Sequence, residues 1–179
     1  EDNGKKYMFW GSFRGIYATE LTDNGLEIKK KTDGTPVLKK RICGNRFEGT
    51  NIYKRGEYYY LFASIGTCCN GATSTYQTVV GRSKNVLGPY LDKTGRDMLY
   101  DYCEIIMSGN ETWAGPGHNS ILIQDDVGTD WIIYHGYKKK EAENGRYVLM
   151  DKLIWSNDGW PSVKSNAPSI LEVAPYFQK

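Results

Sequence analysis

The sequence predicts an all-β protein built from propeller-like units. It holds 20 glycines and 14 tyrosines in 179 residues, a composition typical of many short strands and turns. Helix-forming periodicity is nearly absent, and an Asn-Gly pair stops the one candidate helical turn, at 138–143. The third observation is a recurring layout of a polar turn, an aromatic strand, a longer connection and an alternating strand.

This layout occurs about two and a half times along the chain. Its aromatic strands contain Tyr7, Tyr58 and Trp131, which are 51 and 73 residues apart. Spacings near 50 residues with short antiparallel strands are typical of propeller blades. An all-β sandwich also has short strands at regular intervals, so the spacing favours a propeller without excluding a sandwich.

Turn-forming residues bound each predicted strand. We expect a hairpin turn at Asp23-Asn24-Gly25 and further turns at Arg55-Gly56 and Asn157-Asp158-Gly159. The predicted strands are 6–13, 16–21, 26–28, 50–53, 58–64, 76–82, 119–123, 131–135 and 147–155. An incomplete propeller would leave apolar blade faces uncovered, so this interpretation requires a partner.

Charge and hydrophobicity exclude several classes of partner. The 23 basic and 21 acidic residues give a net charge of +2, which does not indicate a nucleic-acid interface. No apolar run approaches the roughly 20 residues of a membrane-spanning helix, so we expect no membrane partner. The proportions of charged and hydrophobic residues are those of a folded globular chain.

The four cysteines leave the redox compartment open. Their spacing lacks a Cys-x2-Cys pair, which argues against structural zinc. A Cys43–Cys103 disulfide is compatible with a secreted chain, but the sequence does not establish it. For the adjacent Cys68 and Cys69, we expect two small packed residues, with a vicinal disulfide as the less favoured alternative.

Glu48 is a candidate catalytic carboxyl. It stands between Phe47 and Gly49 immediately before a predicted strand. A carboxyl partly desolvated among aromatic residues would favour the protonated form that a general acid needs. Spacing alone favours the simpler alternative, a glutamate exposed to water at a strand edge.

Two further segments are candidate parts of a site. Gly115-Pro116-Gly117 would hold the backbone tightly and present His118 at the entrance of a strand, facing a central channel where it could bind a metal or water. The alternative is a hydrogen-bonded structural histidine. The loop at 64–76 is either an ordinary wide hairpin loop or part of a substrate-binding wall.

Several motifs occur together in one order across nearly the whole chain. They are 48–64, Cys68-Cys69, 74–76, 80–84, 88–90, 115–120, 130–135 and 153–161. In this order they resemble glycoside hydrolase family 43, and within it the endo-arabinanases, which cleave α-1,5-linked L-arabinan.

The resemblance implies a five-bladed β-propeller and an inverting acid/base mechanism. Residues 1–179 would be the C-terminal portion of that single domain, supplying roughly its last two and a half to three blades. Glu48 matches the general acid, and His118 matches a histidine that contacts a central metal, commonly calcium, largely through waters. The substrate-binding residues that it implies are Ser12, Gly49, Thr50, Cys68, Cys69 and Arg146.

The sequence departs from the family at two aspartates. The family's catalytic base and a second, orienting aspartate have no counterpart in the chain. Inversion requires the acid and base carboxyls about 6.5–9.5 Å apart, so we expect the isolated chain to be inactive. A complementary N-terminal polypeptide would supply both aspartates, either as a separate processed half or as part of one longer chain. A shortened, non-catalytic relative is the third possibility.

Other activities stay open within this interpretation. An exo-acting arabinofuranosidase or a β-xylosidase of the same family would carry the same motifs. From another class, a non-catalytic propeller would bind a glycan in its aromatic cleft. Because arabinan is a plant cell-wall polymer outside the cell, a secreted or periplasmic location is expected.

Overall fold

The computed structural model describes residues 1–178. Over this range the chain forms strands and four short 3-10 helices. The strands are β1 (Tyr7–Trp10), β2 (Ile16–Glu20), β3 (Lys40–Cys43), β4 (Glu48–Arg55), β5 (Tyr58–Ile65), β6 (Gln77–Ser83), β7 (Glu104–Met107), β8 (Trp113–Gly117), β9 (Ile123–Gln124), β10 (Asp130–Lys138), β11 (Arg146–Lys152), β12 (Ile154–Trp155) and β13 (Pro161–Ser162). The 3-10 helices are Gly71–Thr73, Met98–Tyr100, Lys139–Asn144 and Lys164–Asn166.

All strand pairs in these sheets are antiparallel. One sheet has the order β1-β2-β3 and the next β4-β5-β6-β7. A third has the order β11-β10-β8, with β9 also paired to β10, and β12 pairs with β13. The all-β prediction is confirmed. These sheets do not close into a ring within residues 1–178, so the number of blades stays a prediction. No helix in that range is long and apolar enough to span a membrane.

The sheet β4–β7 is covered on both faces, and β5 shows this most clearly. Successive side chains of a strand point to opposite faces. Leu61 and Ala63 accordingly pack in a core with β2, whereas Tyr60 and Phe62 pack in a second core with β10. Fully burying one such large side chain contributes about 1.5–3 kcal/mol. The central sheet therefore holds the two flanking sheets in place.

Two predicted strands are wrong. Leu26 is 82% exposed and has no core to pack against, and Ile28 forms only an isolated bridge with Leu21. Of 119–123, only residue 123 lies in a strand. The strand of that region is β8, whose glycines and proline are more typical of a turn in sequence. His118 therefore follows a strand and does not begin one. Strands β3, β7 and β13 were also not predicted.

The expectation for the adjacent cysteines is wrong as well. Cys68 and Cys69 form a disulfide in the loop after β5. Cys69 is exposed and Cys68 only half-buried, so this pair does not fill a core. Cys43 and Cys103 are free thiols: Cys43 is buried between the first two sheets, and Cys103 packs against the same core.

Candidate active site

Glu48 occupies the first position of β4, where the strand is irregular. It pairs with Ser64 on β5, and the register then shifts before Asn51. Gly49 adopts φ +63° inside this irregularity, a conformation that glycine reaches without the steric cost of a β-carbon. Bulges of this kind redirect side chains at the ends of strands. The irregular start of β4 thus positions the Glu48 carboxyl.

The Glu48 carboxyl is held from two sides. The Ser12 hydroxyl donates to Oε2 at 2.8 Å, and the Tyr76 hydroxyl donates to Oε1 at 2.6 Å. Glu48 is half-buried, so the alternative of a freely exposed edge glutamate is wrong. Each oxygen has its own donor, which restricts the orientation of the carboxyl plane.

His118 lies beside this carboxyl at the end of β8. Its backbone has φ +51°, and its amide donates to the Ser64 hydroxyl at 2.7 Å. Its Nδ1 is 3.3 Å from the Tyr76 hydroxyl. A single tyrosine oxygen therefore contacts both Glu48 and His118.

These groups open onto one pocket of about 300 Å³. It is lined by Phe9, Trp10, Gly11, Ser12, Glu48, Gly49, Thr50, His118 and Asn119. Five of the eight predicted site residues thus meet there, and Glu48 is the only carboxylate among the lining residues of the described chain. Phe9 and Trp10 add aromatic surface beside the carboxyl.

The other three predicted site residues lie outside this pocket. Arg146 begins β11, and its Nη1 is 3.4 Å from His135 Nε2. His135 stacks on Tyr76 with ring centroids 5.8 Å apart. Cys68 and Cys69 lie in the loop that ends at Tyr76. All three residues are therefore near Tyr76 in the fold or in the chain, but do not line the Glu48 pocket.

Tyr76 and His135 are site residues that were not predicted from the sequence. Burial and the hydrogen bond to Glu48 raise the pKa of Tyr76 above its ordinary value. Burial, followed by the charges of Arg146 and His118, lowers the pKa of His135 to about 4. Tyr76 is thus a neutral donor and His135 a neutral ring near pH 7. A buried tyrosine needs a hydrogen-bond partner, but the sequence alone does not show that Tyr76 is buried.

Three buried polar atoms near the site have no partner in the described chain: Thr50 Oγ1, Asn119 Oδ1 and His135 Nδ1. Thr50 and Asn119 line the pocket. Within residues 1–178 no group of three or more His, Cys, Asp or Glu side chains could enclose a metal. The residues fit an ion held through one histidine and waters, since unpaired oxygens are available to hydrogen-bond such waters.

A comparison with protein families identifies the family to which the chain belongs. Residues 1–161 match Glycosyl hydrolases family 43. The chain belongs to this family. The predicted family resemblance is confirmed, and with it membership of a family of glycosidases.

Its relatives in family 43 include arabinan-degrading enzymes. The extracellular exo-α-(1→5)-L-arabinofuranosidase ArbA of Cellvibrio japonicus is 36% identical over 173 residues, which cover 91% of this chain and 49% of ArbA. The extracellular endo-α-(1→5)-L-arabinanase 1 of Bacillus subtilis is 36% identical over 164 residues, which cover 90% of this chain and 48% of that enzyme. The family 43 chain thus spans about half the length of these relatives.

Solved structures agree with the sequence comparisons. The Cellvibrio cellulosa α-L-arabinanase complexed with arabinohexaose superposes with a TM-score of 0.76 at 34% identity, over 92% of this chain and 55% of that one. An exo-1,5-α-L-arabinanase from a bovine ruminal metagenomic library gives a TM-score of 0.78 at 35% identity, over 92% and 54%. The arrangement of sheets is therefore that of family 43 arabinanases.

Proposed function

We propose that this chain supplies the general acid of an inverting glycoside hydrolase that cleaves α-1,5-linked L-arabinan. The observation that carries the proposal is the Glu48 carboxyl, half-buried in a pocket and bonded at both oxygens by Ser12 and Tyr76. Family 43 membership and relatives named as arabinanases supply the substrate class. Protonated Glu48 would give its proton to the leaving glycosidic oxygen.

The base in this proposal comes from outside the described pocket. An inverting enzyme activates water with a second carboxylate about 6.5–9.5 Å from the acid. Glu48 has no carboxylate neighbour among the pocket-lining residues of the 1–178 range. A complementary N-terminal part would therefore contribute the base and the orienting aspartate, completing a five-bladed propeller. The isolated chain would be inactive.

Substrate binding in this proposal centres on the pocket walls. Ser12, Gly49 and Thr50 would contact the sugar next to Glu48, because they line the same pocket. Arg146 and the Cys68–Cys69 loop would contact substrate further from the acid, at a cleft wall that the proposed N-terminal part would complete.

A calcium ion near His118 is part of the same proposal. His118 would be its protein ligand, with waters in the other positions and Asn119 and Thr50 hydrogen-bonding to them. Ca²⁺ prefers oxygen ligands, and a water-filled shell provides them. When bound, the ion would supply fixed positive charge beside the acid. Replacing His118 with Ala should lower the calcium content of purified protein, measured by elemental analysis.

Exo action is the second candidate, because the relatives include enzymes named as exo-acting. The products distinguish the two: an endo enzyme releases mixed oligosaccharides early, whereas an exo enzyme releases one short product throughout. A secreted location is also proposed, since ArbA and the Bacillus subtilis enzyme are both named extracellular.

The decisive experiment is Glu48→Gln in the native protein, including any partner polypeptide identified by intact mass under native and denaturing conditions. We expect arabinan hydrolysis to fall by about 10²- to 10⁴-fold while oligosaccharide binding is retained. The matched control is Glu57→Gln, since Glu57 pairs with Lys84 at the exposed β4–β5 turn. Proton NMR of the first product should show inverted configuration. Wild-type protein that binds arabinan without hydrolysing it would be a carbohydrate-binding propeller instead.

A further inference from the structure

We propose that Tyr76 is a positioning residue for the general acid: it fixes Glu48 through Oε1, leaves Oε2 to carry the transferred proton, and holds His118 with its proton on Nδ1. This inference rests on the proposed function for the role of Glu48. It begins from the Tyr76 hydroxyl oxygen, which lies 2.6 Å from Glu48 Oε1 and 3.3 Å from His118 Nδ1 and also interacts with the Ser64 hydroxyl.

Tyr76 is itself rigidly held, as a positioning residue must be. Its side chain is fully buried, and its ring stacks on His135 at an interplanar angle of 11°. On another side it contacts Gly117, where a β-carbon would stand 2.4 Å from Tyr76 Cδ1. The backbone of β8 thus approaches the tyrosine ring directly. With little room to move, the ring places its hydroxyl at one point.

The two carboxyl oxygens of Glu48 differ in their surroundings. Oε1 accepts a short bond from the buried Tyr76, whereas Oε2 accepts from Ser12, an exposed residue that lines the pocket. A serine hydroxyl can rotate to accept instead of donate. Protonation at Oε2 therefore needs only a rotation of Ser12 and keeps the Tyr76 bond. Protonation at Oε1 would weaken the bond from Tyr76, because a protonated carboxyl oxygen is a poorer acceptor.

The single hydrogen of the Tyr76 hydroxyl also determines which ring nitrogen of His118 is protonated. A tyrosine hydroxyl has one hydrogen, and the shorter contact assigns it to Glu48. The Tyr76 oxygen then accepts from its other polar neighbours, the Ser64 hydroxyl and His118 Nδ1, so His118 Nδ1 is a donor and carries the proton. In a neutral imidazole this leaves the lone pair on Nε2. Tyr76 thereby links the orientation of the acid to the tautomer of His118.

The kinetic test is Tyr76→Phe in the native protein, which removes the hydroxyl and keeps the ring. We expect kcat on unactivated arabino-oligosaccharides to fall about 10- to 100-fold with little change in KM, because a misaligned acid transfers its proton poorly. Aryl arabino-oligosaccharides with a dinitrophenyl leaving group need little protonation and should lose much less. Equal losses on both substrates, or no loss, would overturn the positioning role.

A spectroscopic test does not depend on activity. With ¹⁵N-labelled histidine, the wild-type His118 side chain should show the Nδ1–H tautomer, and Tyr76→Phe should shift it toward Nε2–H. The control is Tyr90→Phe, since Tyr90 is equally buried and donates to Val86 O in the core. That variant should change neither tautomer nor leaving-group dependence. If the wild type does not hydrolyse arabinan, the proposed function fails. The tautomer of His118 still tests the positioning role of Tyr76 in that case. A wild-type Nε2–H signal would refute it.

Discussion

Gly49 lies directly against the imidazole ring of His118. A β-carbon on Gly49 would stand 3.1 Å from His118 Cγ, and its backbone at φ +63° disfavours any other residue. The two residues come from different sheets, one in β4 and one at the end of β8. Their contact lets the acid-bearing strand and the histidine share one pocket wall.

Replacing Gly49 with Ala should therefore lower the free energy of unfolding by more than the change in backbone preference alone would. The matched control is Gly56→Ala, since Gly56 has φ +58° but no atom lies within 4 Å of the position that its β-carbon would take. We expect Gly56→Ala to lower the free energy of unfolding by about 1 kcal/mol. Gly49→Ala should lower it further and shift the NMR signals of His118. Equal destabilisation with unchanged His118 signals would mean that the ring adjusts freely. Thermal or chemical unfolding measures the difference.

The aromatic strands were predictable because their residues are strongly β-favouring and bounded by turns. The prediction 58–64 matches β5 to within one residue, and 16–21 matches β2 equally well. Glu48 was identifiable from its place just before a predicted strand, which the structure extends to include it, and from the family motif. These features are local, so each of them can be recognised from a single segment of the sequence.

What could not be predicted depends on contacts between distant segments. β8 reads as a turn because of its glycines, but in the fold they are required where Ser74 and Tyr76 approach the backbone. The contact of Tyr76 with Glu48 spans 28 residues and depends on how β4, β5 and β6 pair. Neither close packing nor register is visible in the order of residue types.

His135 should make stability depend on pH. Its pKa is about 4 in the fold against an ordinary value of 6.5, so the unfolded chain binds more protons between these values. The contribution of His135 to the free energy of unfolding is complete above pH 6.5 and is lost as the pH falls toward 4. We expect a loss of about 2 kcal/mol, discounted for partial exposure of the ring. Urea unfolding of wild type and His135→Gln between pH 4 and 8 measures it.

The control for this prediction is Arg146→Gln. Removing the neighbouring positive charge should raise the pKa of His135, since Arg146 is the second cause of its depression after burial. His118 and Glu48 also act on this ring, and both remain in the variant. A wild-type profile as flat as that of His135→Gln would contradict the prediction.

We expect the four cysteines to form one disulfide and two thiols that react slowly with alkylating reagents. Burial raises the pKa of Cys103 to about 11 and that of Cys43 further still, so little reactive thiolate exists at pH 8. Iodoacetamide should label the native protein slowly at these positions. After denaturation without reductant, mass spectrometry should find two labels in this chain, and four after reduction. No labels before reduction would mean that Cys43 and Cys103 are joined.

Gly117→Ala should reproduce the effect of losing the Tyr76 hydroxyl. A new β-carbon 2.4 Å from Tyr76 Cδ1 forces the ring to move, and with it the hydroxyl bonded to Glu48. Gly117 does not have a positive φ, so the effect comes from the contact rather than from backbone strain. We expect about 1–3 kcal/mol of destabilisation and a kcat loss concentrated on unactivated substrates.

Overpacking by itself must be separated from displacement of Tyr76. Gly81→Ala provides the comparison, since its β-carbon would stand 2.5 Å from Met98 Sδ, and Met98 does not line the pocket. Both variants should be destabilised, but only Gly117→Ala should change the ratio of rates on unactivated and dinitrophenyl substrates. If both variants change that ratio alike, general loosening of the sheets explains the change, because Met98 does not line the pocket.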